Sequence, residues 1–330
     1  MKVIHFFAIS AMAAAMITSC SSEDELSQSN YPSDNIIRIT AGVNNAKTRA
    51  EGTGVSAMNK DFSLTIVNKN AESTELAKKY TYVDKVFSKT SGDWACSETL
   101  LWQNATTPVD IVAFAPAKKD KFNGVYADGG IKPITYSIAD DQSTWSDNND
   151  LLYYYAPGFN PGESLVDKKL NIQFNHAFCM IDINVTLGTE FNKPAILEKS
   201  PITEVTLEGT KIKANVDVKN ATNIVTASEE AAKIITTKGS FDKAANAEAK
   251  AISRFSCIVI PQTVAANTFK VSLMTAGKLY KWTSADPVEL KSGYRYTLNL
   301  TMGNDVVLLK NGDITATPWG NGEGGTLETD

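Results

Sequence analysis

Ile37-Arg38-Ile39-Thr40-Ala41-Gly42-Val43 places Ile37, Ile39, Ala41 and Val43 at every second position. Side chains of an extended chain alternate between two faces, so this spacing predicts a strand with one buried face. The same pattern recurs at 62–67, at 109–115 (where it stops at Pro116), and at 170–174, 180–187, 269–273 and 294–300. Residues 205–216 read as a hairpin turning near Gly209. Helical patterning is weak, with short candidates at 71–79, 228–232 and 242–251. Many short strands bounded by turn residues predict an all-β chain of antiparallel sandwiches. The loop Gly158-Phe159-Asn160-Pro161-Gly162-Glu163 and the charged Asp167-Lys168-Lys169 divide it into two tandem β-sandwich domains, 36–167 and 168–330.

The N-terminus carries a different signal. Lys2 precedes an apolar run that ends in Ile17-Thr18-Ser19-Cys20, followed by Ser21-Ser22-Glu23-Asp24-Glu25. The run is shorter than the roughly 20 residues a bilayer span needs. A basic start, a short apolar core and small residues before a cysteine predict a lipoprotein signal peptide over 1–19. Cys20 is then the lipidated residue, and 20–35 a polar tether holding the protein to the membrane through that lipid. Removing the leader leaves 31 basic and 37 acidic residues, a net charge of −6. Such a surface recruits neither nucleic acid nor anionic lipid.

Little points to catalysis. His176 is the one histidine outside the leader, and it reads as a hydrogen-bonded structural residue. No Gly-x-Ser-x-Gly elbow surrounds any serine. Asp140, Asp141, Asp147 and Asp150 share one loop but lack EF-hand spacing, and no metal or cofactor is expected. The Gly-rich run at 320–325 matches a dinucleotide pattern only in letters, since no strand and helix frame it. Cys96, Cys179 and Cys257 are an odd set; Cys179 and Cys257 read as small buried hydrophobes with free thiols, with a bridge between them as the alternative. Trp94, Trp102, Trp145 and Tyr153-Tyr154-Tyr155 are core aromatics on one reading and a sugar-stacking platform on the other.

Taken in order, these pieces resemble a known family. They are the lipobox with its acidic follow-on, the strand at 36–43 followed by Lys47-Thr48-Arg49-Ala50, and 109–115 ending at Pro116. Then come Asp150-Leu151-Leu152-Tyr153, Phe174-Asn175-His176-Ala177, Ile260-Pro261-Gln262, Lys278-Leu279-Tyr280, Gly293-Tyr294-Arg295-Tyr296 and the closing Ile314-Thr315-Ala316-Thr317-Pro318-Trp319. The chain resembles the Bacteroidetes fimbrillins, the subunits of type V pili. The resemblance implies two transthyretin-like sandwiches and a non-enzymatic surface fimbrial subunit, stalk or tip, at the outer membrane. It implies cleavage by an Arg-specific protease at Arg49, loss of the first strand, and strand addition from another pilin subunit. Adhesion to a host or bacterial surface ligand would follow. The donor is either the segment around Val306-Val307-Leu308-Leu309, the segment 314–319, or neither. The rival function is a glycan-binding surface lipoprotein of a polysaccharide-uptake system, which would keep its first strand and expose its tryptophans. A secreted hydrolase is the second rival, disfavoured by the scarcity of histidine.

Overall fold

Two strands, Phe62–Asn68 and Val109–Ala115, are buried along their whole length. Full burial requires cover on both faces of a sheet, and both faces are covered here. Phe62, Leu64, Ile66, Val109, Ile111 and Ala113 pack into one core. Val67, Val112 and Phe114 point the other way, against Phe122, Val125 and Ile131. The computed structural model describes residues 30–44, 55–68, 74–117, 122–193, 195–303 and 307–319. Cys20, Arg49, the leader, the residues of the tether before 30 and the tail after 319 lie outside these described residues.

The first half comprises β1 (Ile39–Asn44), β2 (Val55–Ala57), β3 (Phe62–Asn68), β4 (Tyr82–Thr90), β5 (Asp93–Cys96) and β6 (Val109–Ala115). Next come β7 (Tyr126–Ala127), β8 (Gly130–Ile131), β9 (Ile134–Ser137), β10 (Leu152–Phe159) and β11 (Leu170–His176). The second half comprises β12 (Cys179–Leu187), β13 (Glu204–Val216), β14 (Val225–Ile235), β15 (Thr237–Asp242), β16 (Ile252–Val259), β17 (Gln262–Val264), β18 (Lys270–Thr275), β19 (Lys278–Thr283), β20 (Val288–Leu290), β21 (Tyr294–Met302) and β22 (Val307–Pro318). Among the described residues helix is confined to short pieces such as α1 (Thr74–Lys79) and α2 (Pro161–Ser164).

An eight-stranded sheet runs β2-β1-β11-β10-β6-β3-β4-β5. A five-stranded sheet, β15-β16-β12-β21-β22, shares a core with the sheet β14-β13-β18-β19. In β12 the residues Cys179, Ile181, Ile183, Val185 and Leu187 face that core, and the residues between them are partly exposed. The chain is therefore all-β and built as sandwiches.

Several sequence expectations change. The pairs β1–β11 and β12–β21 run parallel, because each joins strands far apart in the chain, where a long crossover permits either direction. Residues 205–216 form one continuous strand; Gly209, at φ +94°, sits at a shift of register, and a Cβ there would strike the Thr268 carbonyl. The segment 228–232 is part of strand β14, and 242–251 is turn and loop beyond Asp242. Strand β11 pairs with β1 and β10, and the chain passes from the eight-stranded to the five-stranded sheet between His176 and Cys179. Strand β9 in turn pairs with β13, tying the first half into the second sheet system.

Candidate strand-exchange slot

Residues 35–38 lead into β1, an integral strand of the eight-stranded sheet. Its approach is fixed first: Ile37 N–H donates to Leu100 O at 2.9 Å and Trp102 N–H donates to Asn35 O at 2.8 Å. Strand β1 then runs between β2 and β11, bonded on both edges. Its register on β11 sets Ile39 beside Leu170, Ala41 beside Ile172 and Val43 beside Phe174. Ile37, Ile39 and Val43 are 6%, 5% and 9% exposed, and they enter the core that holds Phe62, Trp102 and Phe174. Ala41 packs on the same core. Burying three such side chains is worth about 1.5–3 kcal/mol each before ordering costs.

The opposite face is polar and matched. Thr40 Oγ1 lies 3.1 Å from Asn171 Oδ1, and Asn44 Nδ2 donates to Asn175 Oδ1 at 3.0 Å. Arg38 grips Asp34 through two hydrogen bonds of 2.9 and 2.6 Å. These bonds, with the Ile36 amide next in strength, hold the Asp34 carboxyl well below the usual carboxylate range. The arrangement is a strand-shaped slot: a row of backbone partners, a row of apolar side chains below, and a narrow polar rim above.

The end of the slot meets the end of β22, the last strand among the described residues. Asn44, Asn175, His176, Gly293, Pro318 and Trp319 line a cavity of about 280 Å³. His176 places Nδ1 2.9 Å from Asp150 Oδ1, and Lys60 Nζ lies 3.4 Å from Asp150 Oδ2. The Trp319 ring stacks on His176 with centroids 3.9 Å apart. His176 is thus a positioned, stacked residue rather than an isolated base. No pattern in the sequence pointed to its pairing with Trp319, since 142 positions separate them and only the fold brings them together.

The other candidates stay apart. Trp102 is 2% exposed and stacks on Phe159, while Trp94 packs on Phe62. Trp145 is 42% exposed and its indole N–H donates to Asp147. The three tryptophans therefore have separate partners and form no common platform. Asp141 accepts from the Ser143 amide, while Asp147 and Asp150 pair with Lys60. Among the described residues no group of three or more His, Cys, Asp or Glu side chains is placed to hold a metal ion. Cys96, Cys179 and Cys257 are free thiols, the last two fully buried. Burial raises both buried thiols, with Asp182 a second cause at Cys257.

Comparison with solved structures returns the same architecture. A fimbrial protein from Bacteroides vulgatus aligns over 86% of this chain and 99% of its own, at 14% identity and a TM-score of 0.53. Proteins ascribed to cell adhesion from Bacteroides ovatus and Bacteroides uniformis align over 86% and 87% of this chain and 97% and 99% of theirs, at 14% and 13% identity with TM-scores of 0.59 and 0.55. At such identities the likeness concerns the fold. No functionally curated protein matches the chain in sequence. A family profile described as fimbrillin-like matches residues 48–319. With more than half of its length covered by that profile, the chain belongs to the fimbrillin-like family, whose members serve as pilus subunits.

Proposed function

We propose that this fimbrial subunit reaches the outer membrane as a lipoprotein on Cys20 and is trimmed by hydrolysis after Arg49. The β1 slot then accepts a strand from another subunit, and the assembled fimbrium serves adhesion. The burial of Ile37, Ile39 and Val43 in a strand bonded on both edges carries this reading. Arg49 follows that strand and precedes β2, so a cut there frees the plug and leaves the rest of the sheet in the mature chain. The vacated slot would expose Leu170, Ile172 and Phe174 together with unpaired backbone groups, a surface that a neighbouring strand satisfies.

The donor we favour is 314–319 of a second copy. Ile314-Thr315-Ala316 repeats Ile39-Thr40-Ala41 residue for residue. It lies in β22, which forms an edge of its sheet. The non-enzymatic character accords with the family, and the mature surface is the fimbrium. Size-exclusion chromatography of the chain before and after treatment with an arginine-specific protease tests the proposal. Trimming should yield higher oligomers, and Arg49→Ala should remain intact and monomeric. A trimmed wild type that stays monomeric at high concentration would sink it.

A further inference from the structure

We infer that β2 is the second wall of the slot, so that a strand from a second copy of this chain is gripped on both edges rather than laid along one. The inference rests on the strand-exchange reading and specifies the surface the partner meets. Among the described residues β2 is terminal in the sheet order and β1 is its single neighbour. Gly42, Val43 and Asn44 face Ala57, Ser56 and Val55 in antiparallel register. Strand β2 spans three residues, too short to hold extended structure unaided. It nevertheless stays tethered beside the slot, because Met58, immediately after it, is 1% exposed in the core that receives Ile37, Ile39 and Val43.

Arg49 divides β1 from β2 in the chain, so a cut there removes the first and keeps the second. The retained strand then has an anchored end, free backbone groups and an empty place between itself and β11. An incoming strand running in the direction of β1 satisfies both walls at once. It becomes an interior strand with no open edge of its own over the β2 contact. A one-walled groove would leave that edge to solvent. The pairing at Gly42 shows how close the second wall stands, since Gly42 is buried between Gln173 of β11 and Ala57 of β2.

Amide hydrogen exchange at Val55, Ser56 and Ala57 tests this, with a synthetic peptide of residues 35–44 as the probe supplied to the trimmed chain. In the untrimmed chain those of the three amides that point to β1 should exchange slowly, since alternate amides of a terminal antiparallel strand point away from its neighbour. After trimming and removal of the plug they should speed up by roughly tenfold or more, and the peptide should restore the slow rate. Peptide binding, read independently by fluorescence anisotropy of a labelled copy, separates two failures. If the peptide binds but 55–57 stay fast, the second wall is refuted while strand exchange stands. If 55–57 stay slow with the slot empty, β2 has moved onto β11 and the inference is refuted. If no peptide binds, the strand-exchange reading falls and this inference with it.

Discussion

The Trp319 ring lies on the His176 imidazole at 3.9 Å between centroids and 11° between planes, so the residue that follows β22 sits on the last residue of β11. Trp319 N–H also donates to Gly293 O at 2.7 Å. The exit of the plug strand, through Asn44, and the exit of β22 thus share one small cavity. Stacked aromatic pairs contribute about 0.5–1.5 kcal/mol beyond the area they bury. Trp319→Ala should lower stability by roughly that amount or somewhat more, and should speed amide exchange at the end of β22. Urea denaturation and hydrogen exchange measure both effects; an unchanged midpoint with unchanged exchange would mean the stack does not secure β22.

Ile39→Ala offers a sharper contrast. The side chain is 5% exposed, and truncations of this kind cost about 2–4 kcal/mol. That loss should appear in the untrimmed chain. It should vanish in the chain trimmed at Arg49, which no longer contains residue 39. Equal losses in both forms would show that the plug is not released.

Ile314→Asp should separate donating from accepting. A charge placed on the apolar row of an incoming strand opposes its entry into a slot flanked by Leu170 and Ile172. Trimmed Ile314→Asp protein should fail to polymerise alone yet cap growing wild-type oligomers, seen as shortened ladders in mixed samples. Normal ladder formation by the variant would move the donor elsewhere in the chain.

The thiols should react in a set order. Cys179 and Cys257 are fully buried and their ionisation is opposed by desolvation, whereas Cys96 is half-buried. Iodoacetamide at mildly alkaline pH should label Cys96 in the native protein and reach the other two only after unfolding. Mass spectrometry of tryptic peptides reads the order directly; rapid native labelling of Cys257 would contradict the sealed core.

Asp34 supplies a pH dependence. Its carboxyl is held low by Arg38, so the folded form binds the proton less readily than the unfolded chain does. The contribution is present above the ordinary carboxylate pKa and fades as pH falls through the lower folded value. Asp34→Asn should therefore flatten the acid limb of stability slightly, and by little, because the pair is exposed. A titration of the Asp34 side chain by NMR showing an ordinary midpoint would remove this account.

Much of the fold was legible in the residues. Period-2 spacing marked Ile37 to Val43 as a one-faced strand, and the structure buries Ile37, Ile39 and Val43 on that face. The same logic found the inward row of β12. It failed at Gly209, where turn and bulge place the same demand on the backbone and only the neighbouring Thr268 decides between them. It also missed strand at 228–232, whose Ser-Glu-Glu-Ala-Ala composition favours helix locally while pairing with β13 overrides it.

The sequence by itself determined which segments are extended and which side of each turns inward, because side-chain alternation is a property of the local backbone. It also carried the family resemblance and the order of its landmarks. Only the tertiary structure decided strand direction, neighbours and register: that β1 runs parallel to β11, that β2 closes its other edge, and that His176 meets Trp319. Those are contacts between residues distant in the chain. They are set by which apolar faces cover one another, and no local pattern encodes that choice.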